Sequence, residues 1–139
     1  MKLDRDTVYR ELLLEAHAAG VSAVADCTPV PMVVAQRADV LDDSSPVEKS
    51  WFVADGLCGF AWVHIPNARQ SFCNWLRKNG IGHKSYYGGW DLSPWNVAKA
   101  VLRGESSAQS VAKKEAYCRA AAEVLKLNGV DCYTDSRLD

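Results

Sequence analysis

Leu57-Cys58-Gly59-Phe60-Ala61-Trp62-Val63-His64-Ile65 is the stretch that decides the fold. In an extended strand, side chains alternate between two faces. Cys58, Phe60, Trp62 and His64 then point one way, and Leu57, Ala61, Val63 and Ile65 the other. Both sets are largely apolar, which places the strand in the middle of a covered sheet rather than on a solvated one. Residues 51–54 form a second apolar run, and the Asp55-Gly56 pair between the two is a strong hairpin signal. The expectation is a hairpin of 51–54 with 57–65, closed by Pro66, at the centre of a sheet.

Towards the C-terminus, Asn67 and Gln70 have capping-box spacing for a helix through about Asn79, with Phe72, Cys73, Trp75 and Leu76 as its apolar stripe. Gly80 stops it. Residues 83–92 read as strand, interrupted by Gly88-Gly89. Ser93-Pro94 opens a short helix to Arg103, with proline at the first helical position. Ser106 and Gln109 form another capping box, for the longest helix, to about Leu127, with Val111, Cys118, Ala121, Ala122 and Leu125 inside. Residues 130–134 are a last strand, and 135–139 a short charged tail.

Towards the N-terminus, Asp4 or Asp6 caps a helix to about Ala19, carrying Val8, Leu12, Ala16 and Ala19 on one stripe, with Gly20 as its left-handed stop. Two prolines at alternate positions force 28–31 into an extended path, and 32–35 read as a short strand. Residues 38–50, with Asp39, Asp42, Asp43, Ser44, Ser45 and Pro46, read as a flexible acidic loop. Leu76-Arg77-Lys78-Asn79-Gly80-Ile81 recurs in outline as Leu125-Lys126-Leu127-Asn128-Gly129-Val130, the form of a helix stop that leads into a strand. These readings give one α+β domain over 1–139: a two-layer sandwich in which a mostly antiparallel or mixed sheet of four to five strands, with a central hairpin strand, is covered by helices.

The chain has 139 residues, 48% of them apolar and 24% charged, with a net charge of -1. That balance excludes wholesale disorder and a generic basic coat for nucleic acid. No stretch approaches 18 apolar residues and the first ten carry mixed charge, so neither a membrane span nor a secretory leader is expected. Five scattered cysteines (Cys27, Cys58, Cys73, Cys118 and Cys132) do not make a disulfide framework and read as thiols of a reducing, cytoplasmic compartment.

The segment from Gly82 to Asp91 combines aromatic rings, two cations and two adjacent glycines. Rings beside cations suit a stacking or protein contact, and Gly-Gly lets the backbone turn or approach a ligand closely. Lys84, Tyr86, Tyr87, Gly88, Gly89, Trp90 and Trp95 are the candidate contact residues. His83, Lys84 and Arg137 are added as candidate nucleic-acid contacts. Along one strand His64 and Cys58 lie roughly 20 Å apart, too far for a base to activate a thiol. A thiol or carboxylate site with His64 or His83 therefore needs distant positions brought together. No metal-ligand spacing, phosphate loop or dinucleotide fingerprint occurs, and no cofactor is expected.

Thr28-Pro29-Val30-Pro31-Met32-Val33-Val34, Cys58-Gly59-Phe60-Ala61-Trp62-Val63, Tyr86-Tyr87-Gly88-Gly89, Lys114-Glu115-Ala116-Tyr117 and the end Ser136-Arg137-Leu138-Asp139 carry a resemblance. Together they resemble a group of small proteins encoded by tailed bacteriophages. The likeness covers most of the chain and transfers no catalytic residue. It implies a virion component or host-directed accessory protein, in the host cytoplasm or the virion. The expectation is a non-enzymatic interaction module that binds itself or another macromolecule. Nucleic-acid binding through the aromatic and basic strand is the first alternative, and a small cysteine- or histidine-dependent enzyme the second.

Overall fold

The computed structural model describes residues 4–28, 32–37, 47–53, 58–102 and 110–138, with backbone only for 32–37, 47–53 and 102. Helix α1 runs Arg5–Asp26, followed by β1 (Met32–Arg37), β2 (Val47–Val53) and β3 (Gly59–Ile65). Helix α2 (Ser71–Lys78) leads to β4 (His83–Lys84) and β5 (Trp90–Leu92), then α3 (Pro94–Leu102), α4 (Val111–Leu127) and β6 (Tyr133–Leu138). Four strands form an antiparallel sheet in the order β4-β5-β3-β6. Helices pack on it, so the fold is α+β as expected.

β3 is an interior strand, with β5 on one edge and β6 on the other. Gly59, Ala61, Val63 and Ile65 are buried beneath α4. The opposite face is only partly covered: Trp62 is half-buried and Phe60 is 45% exposed. The hairpin expected between 51–54 and β3 does not form. β2 pairs instead with β1, Trp51 opposite Val34, in a separate two-stranded sheet. β3 pairs with β6 along 59–64 on one edge and with β5 along 63–65 on the other, while β2 spends its pairing on β1. The Asp55-Gly56 turn, the prolines Pro29 and Pro31, and most of the acidic loop lie outside the described residues. Residues 47–50 of that expected loop are strand.

Residues 135–138 of the expected charged tail are also strand. β6 pairs Trp62 with Asp135 and Phe60 with Arg137. Tyr133, Asp135 and Arg137 thereby share the outer face of the sheet with Phe60, Trp62 and His64.

Helix ends follow local chemistry. Asp4 Oδ1 accepts the Thr7 N–H at 2.8 Å and caps α1. Ser93 and Asn96 cap α3 reciprocally: Ser93 Oγ accepts the Asn96 N–H at 3.1 Å, and Asn96 Oδ1 accepts the Ser93 N–H at 2.9 Å. The two Leu-to-Gly repeats end α2 and α4 in the same way. Ile81 N–H donates to Leu76 O and Val130 N–H to Leu125 O, each at 2.9 Å, around glycines at φ +67° and +85°. The leucine, isoleucine and valine of these stops are buried. Two expected caps are corrected. Asn67 Oδ1 accepts from Arg69 N–H two residues on, so it shapes a turn and does not cap α2, whose N-cap Gln70 makes no side-chain bond. The cap of α4 is Ser110, whereas Ser106 and Gln109 lie outside the described residues.

Gly20 does not stop α1, which continues six residues further to Asp26. A Cβ at Gly20 would lie 2.5 Å from the ring of Tyr117 on α4. The glycine is there for close approach of two helices, and the glycine between Ala19 and Val21 is indistinguishable in sequence from a terminator. One turn earlier, His17 Nδ1 and the Tyr117 hydroxyl are 2.7 Å apart, both residues buried. Burial lowers the His17 pKa and raises that of Tyr117.

Gly20→Ala gains up to about 1 kcal/mol of helix propensity. The clash with Tyr117 should outweigh it by a net loss of about 1–2 kcal/mol, read by urea unfolding. The neutral His17 gives a second expectation. Its folded pKa is depressed, so its contribution is complete above the unfolded value of about 6.5 and is lost as the pH falls below it. Stability should therefore drop between about pH 7.5 and about pH 5.5, and drop less in His17→Gln, whose side chain does not titrate in that window.

Candidate functional site

Strands β4 and β5 form a short hairpin whose tip is Ser85-Tyr86-Tyr87-Gly88-Gly89. Gly88 N–H donates to Ser85 O at 3.2 Å and Ser85 N–H to Gly89 O at 3.1 Å, closing the turn. Gly88 and Gly89 have φ of +99° and +85°, a region that side chains disfavour. The turn holds two adjacent tyrosines outward, Tyr86 at 91% and Tyr87 at 94% exposure, with ring centroids 4.8 Å apart edge to face. Lys84 and His83 are exposed beside them.

The base of the tip is fastened at two points. Trp90 is buried, its indole N–H donates to Ile81 O at 2.8 Å, and the Arg77 guanidinium lies 5.4 Å from its ring centroid. Trp90, expected as a contact residue, has its ring in the core, where its place opposite Ile65 in the β3–β5 register puts it. On the other face, His64 Nδ1 and Asp91 Oδ1 are 2.6 Å apart across the same strands. An ionised carboxylate only accepts, so the ring donates from Nδ1. Asp91 Oδ2 also lies 3.9 Å from His83 Nε2, and the His64 ring packs on Tyr133 at 5.0 Å between centroids. A Cβ at Gly89 would come within 2.9 Å of His64 Cε1, 3.1 Å of its Nε2 and 2.5 Å of Ile65 O. Gly89 is thus both a turn residue and the space into which the imidazole fits.

A histidine bonded to a carboxylate is the orienting half of a general-base site. Here its second nitrogen abuts the Gly89 backbone, and the side chains of His64 and Asp91 are 12% and 10% exposed. No Ser, Thr or Cys among the described residues is hydrogen-bonded to His64. The pair joins β3 to β5 under the tyrosine tip.

The other expected residues scatter. Trp95 opens α3, past the end of β5 remote from the tip, with Lys99 Nζ 5.9 Å from its ring centroid. Arg137 sits on β6, where it and Lys114 flank the Phe60 ring at 5.1 and 5.0 Å. Lys114 also donates to Gly59 O at 2.8 Å, so this residue of α4 is tied to the sheet and is not part of a purely solvated face. Cys73, Cys118 and Cys132 are buried, and burial pushes their thiols up to about 11, 12 and 11. None meets His83, and thiols held protonated are poor nucleophiles. Among the described residues, no three His, Cys, Asp or Glu side chains are grouped to hold a metal ion. No described helix is long and apolar enough to cross a membrane. Comparison with known proteins found no matching family model, no similar curated protein and no similar solved structure.

Sequence reasoning found the tip but missed Asp91 as its fastening. One signal was available: Asp91 ends a run from 56 to 90 with no acidic residue, which contains Arg69, Arg77, Lys78 and Lys84.

Gly89→Ala should destabilise the fold by about 2–4 kcal/mol, since it combines left-handed strain with contacts to backbone and to His64. Gly88→Ala, where a Cβ meets nothing within 4 Å, should cost only the strain, about 1 kcal/mol. Chemical denaturation of the two variants side by side checks the difference. A thiol reagent at neutral pH should modify Cys58 and Cys27 in the native chain and reach all five cysteines only after unfolding.

Proposed function

We propose that this protein is a non-enzymatic interaction module whose contact element is the tyrosine tip of the β4–β5 hairpin. The reading rests on Tyr86 and Tyr87, two adjacent rings almost fully in water on a glycine-closed turn. Exposed single aromatics are ordinary, but paired rings on a fastened turn offer contact area with little rotamer entropy to lose on binding. Tyrosines in such settings concentrate binding energy at interfaces. The partner on this reading is a second copy or another macromolecule, a role that suits the resemblance to small phage-encoded proteins.

A second reading follows from the run between Asp55 and Asp91, with its four cations and no acid. A single-stranded nucleic acid stacked on Tyr86 and Tyr87, its phosphates met by Lys84, matches that local charge, with about 1–3 kcal/mol for each stacked base.

The test is a Tyr86→Ser/Tyr87→Ser double variant, which leaves the core untouched. Light scattering after size exclusion should show wild-type self-association, or affinity capture a defined protein partner, and the double variant should lose either while keeping its far-ultraviolet spectrum. A strictly monomeric wild type that captures nothing, or a variant that binds unchanged, overturns the proposal. Retention on single-stranded DNA or RNA that weakens as salt rises would move the assignment to the second reading. No retention at low ionic strength discards that reading.

A further inference from the structure

Between the first turns of α1 and the approach to α2 lies a cavity of about 490 Å³, on a different part of the molecule from the tyrosine tip. That is within the range of small-molecule sites. Arg5, Asp6 and Tyr9 face it from α1, and Arg69, Ser71 and Lys78 from the segment that carries α2. Tyr9 and Trp75 line it with rings 5.7 Å apart between centroids. The charge in this small volume is lopsided. Three cations line it against one carboxylate, in a chain whose overall charge is -1.

The carboxylate is already engaged. Asp6 accepts the indole N–H of Trp75 at 3.0 Å and pairs with Arg10 at 3.0 Å, which hold its pKa below the ordinary aspartate value. The cations are held less closely. Lys78 acts on the Asp6 carboxylate through its charge, Arg5 reaches the hydroxyl of Ser71 at 3.3 Å, and among the described residues no carboxylate lies at ion-pair distance from Arg5, Arg69 or Lys78. Ser71 Oγ receives both Arg5 and the Tyr9 hydroxyl at 2.8 Å, so its own O–H is left to donate. The cavity therefore presents two guanidiniums, an ammonium and a hydroxyl as donors, beside an Asp6 carboxylate already engaged by Trp75 and Arg10.

We propose that this cavity binds a small phosphate-bearing dianion. Three cations less one carboxylate leave two positive charges, and a phosphate monoester carries close to two negative charges near neutral pH. Guanidinium forks meet phosphate oxygens in pairs, which a monocarboxylate ligand could satisfy only in part. The volume exceeds that of a phosphate group alone, so an organic remainder fits against Tyr9. The site is independent of the tyrosine tip, and either can fail without the other.

The test is a titration of the full chain, ¹⁵N-labelled and at low salt, with glycerol 2-phosphate, inorganic phosphate and acetate in separate arms. Glycerol 2-phosphate should shift the Trp75 indole and Ser71 amide signals saturably, with Kd at or below about 1 mM. Inorganic phosphate should bind at the same signals more weakly, and acetate should not saturate. Arg69→Gln and Arg5→Gln, both at exposed positions, should each weaken glycerol 2-phosphate at least about tenfold, whereas Lys84→Gln at the tip should not change it. Unsaturated, linear shifts with glycerol 2-phosphate overturn the proposal. So does equal binding of acetate, or Arg69→Gln and Arg5→Gln variants that bind as wild type while keeping the native spectrum.

Discussion

Because β3 is hydrogen-bonded along both edges, its two faces must do different work. The inner face (Ala61, Val63 and Ile65) gives α4 a surface to pack on. The outer face brings His64 beside Asp91 of β5 and Tyr133 of β6. Had the strand been an edge, only one of these cross-strand contacts could exist, and without β3 the β4–β5 hairpin would be a two-residue strand and a three-residue strand with little to hold them. Isolated hairpins of that length are marginal in water. The tip therefore borrows its order from the sheet, through Trp90 on one face and the His64–Asp91 pair on the other.

Small residues set how closely the layers approach. Gly20 lets the Tyr117 ring lie against the backbone of α1, and the same ring carries the hydroxyl that meets His17. Gly89 performs the equivalent service for His64. In both places a glycine faces an aromatic or imidazole ring whose polar atom is hydrogen-bonded nearby. Such positions tolerate little substitution because the ring can neither bend nor retreat from a packed interior.

Much of the fold was legible because its signals are local. The alternation of β3, the Asn-Gly ends of α2 and α4, the Ser93-Pro94 start of α3 and the Gly88-Gly89 turn each depend on a few consecutive residues. What was not legible depends on partners distant in sequence. Gly20 looks like a stop until Tyr117, nearly a hundred positions on, is brought beside it. Residues 135–138 look like a charged tail because Asp135 and Arg137 occupy the partly open face of β6, and only the register with β3 reveals a strand. The partner of 51–53 was misread because a turn signal says that a chain reverses, not which strand it rejoins. The tip tyrosines were visible as a composition anomaly, whereas Asp91 joins His64 only through strand pairing across 27 positions. The cationic cavity was invisible for the same reason, since Arg5 and Arg69 meet only when α1 folds over α2.

The contact role proposed for the tip requires a fixed presentation rather than a loose loop, because only a preorganised pair of rings binds without a large ordering cost. Backbone ¹⁵N relaxation at Tyr86 and Tyr87 measures this directly. Order parameters of about 0.85, equal to those of β5, are the predicted result, and values below about 0.6 would contradict the account.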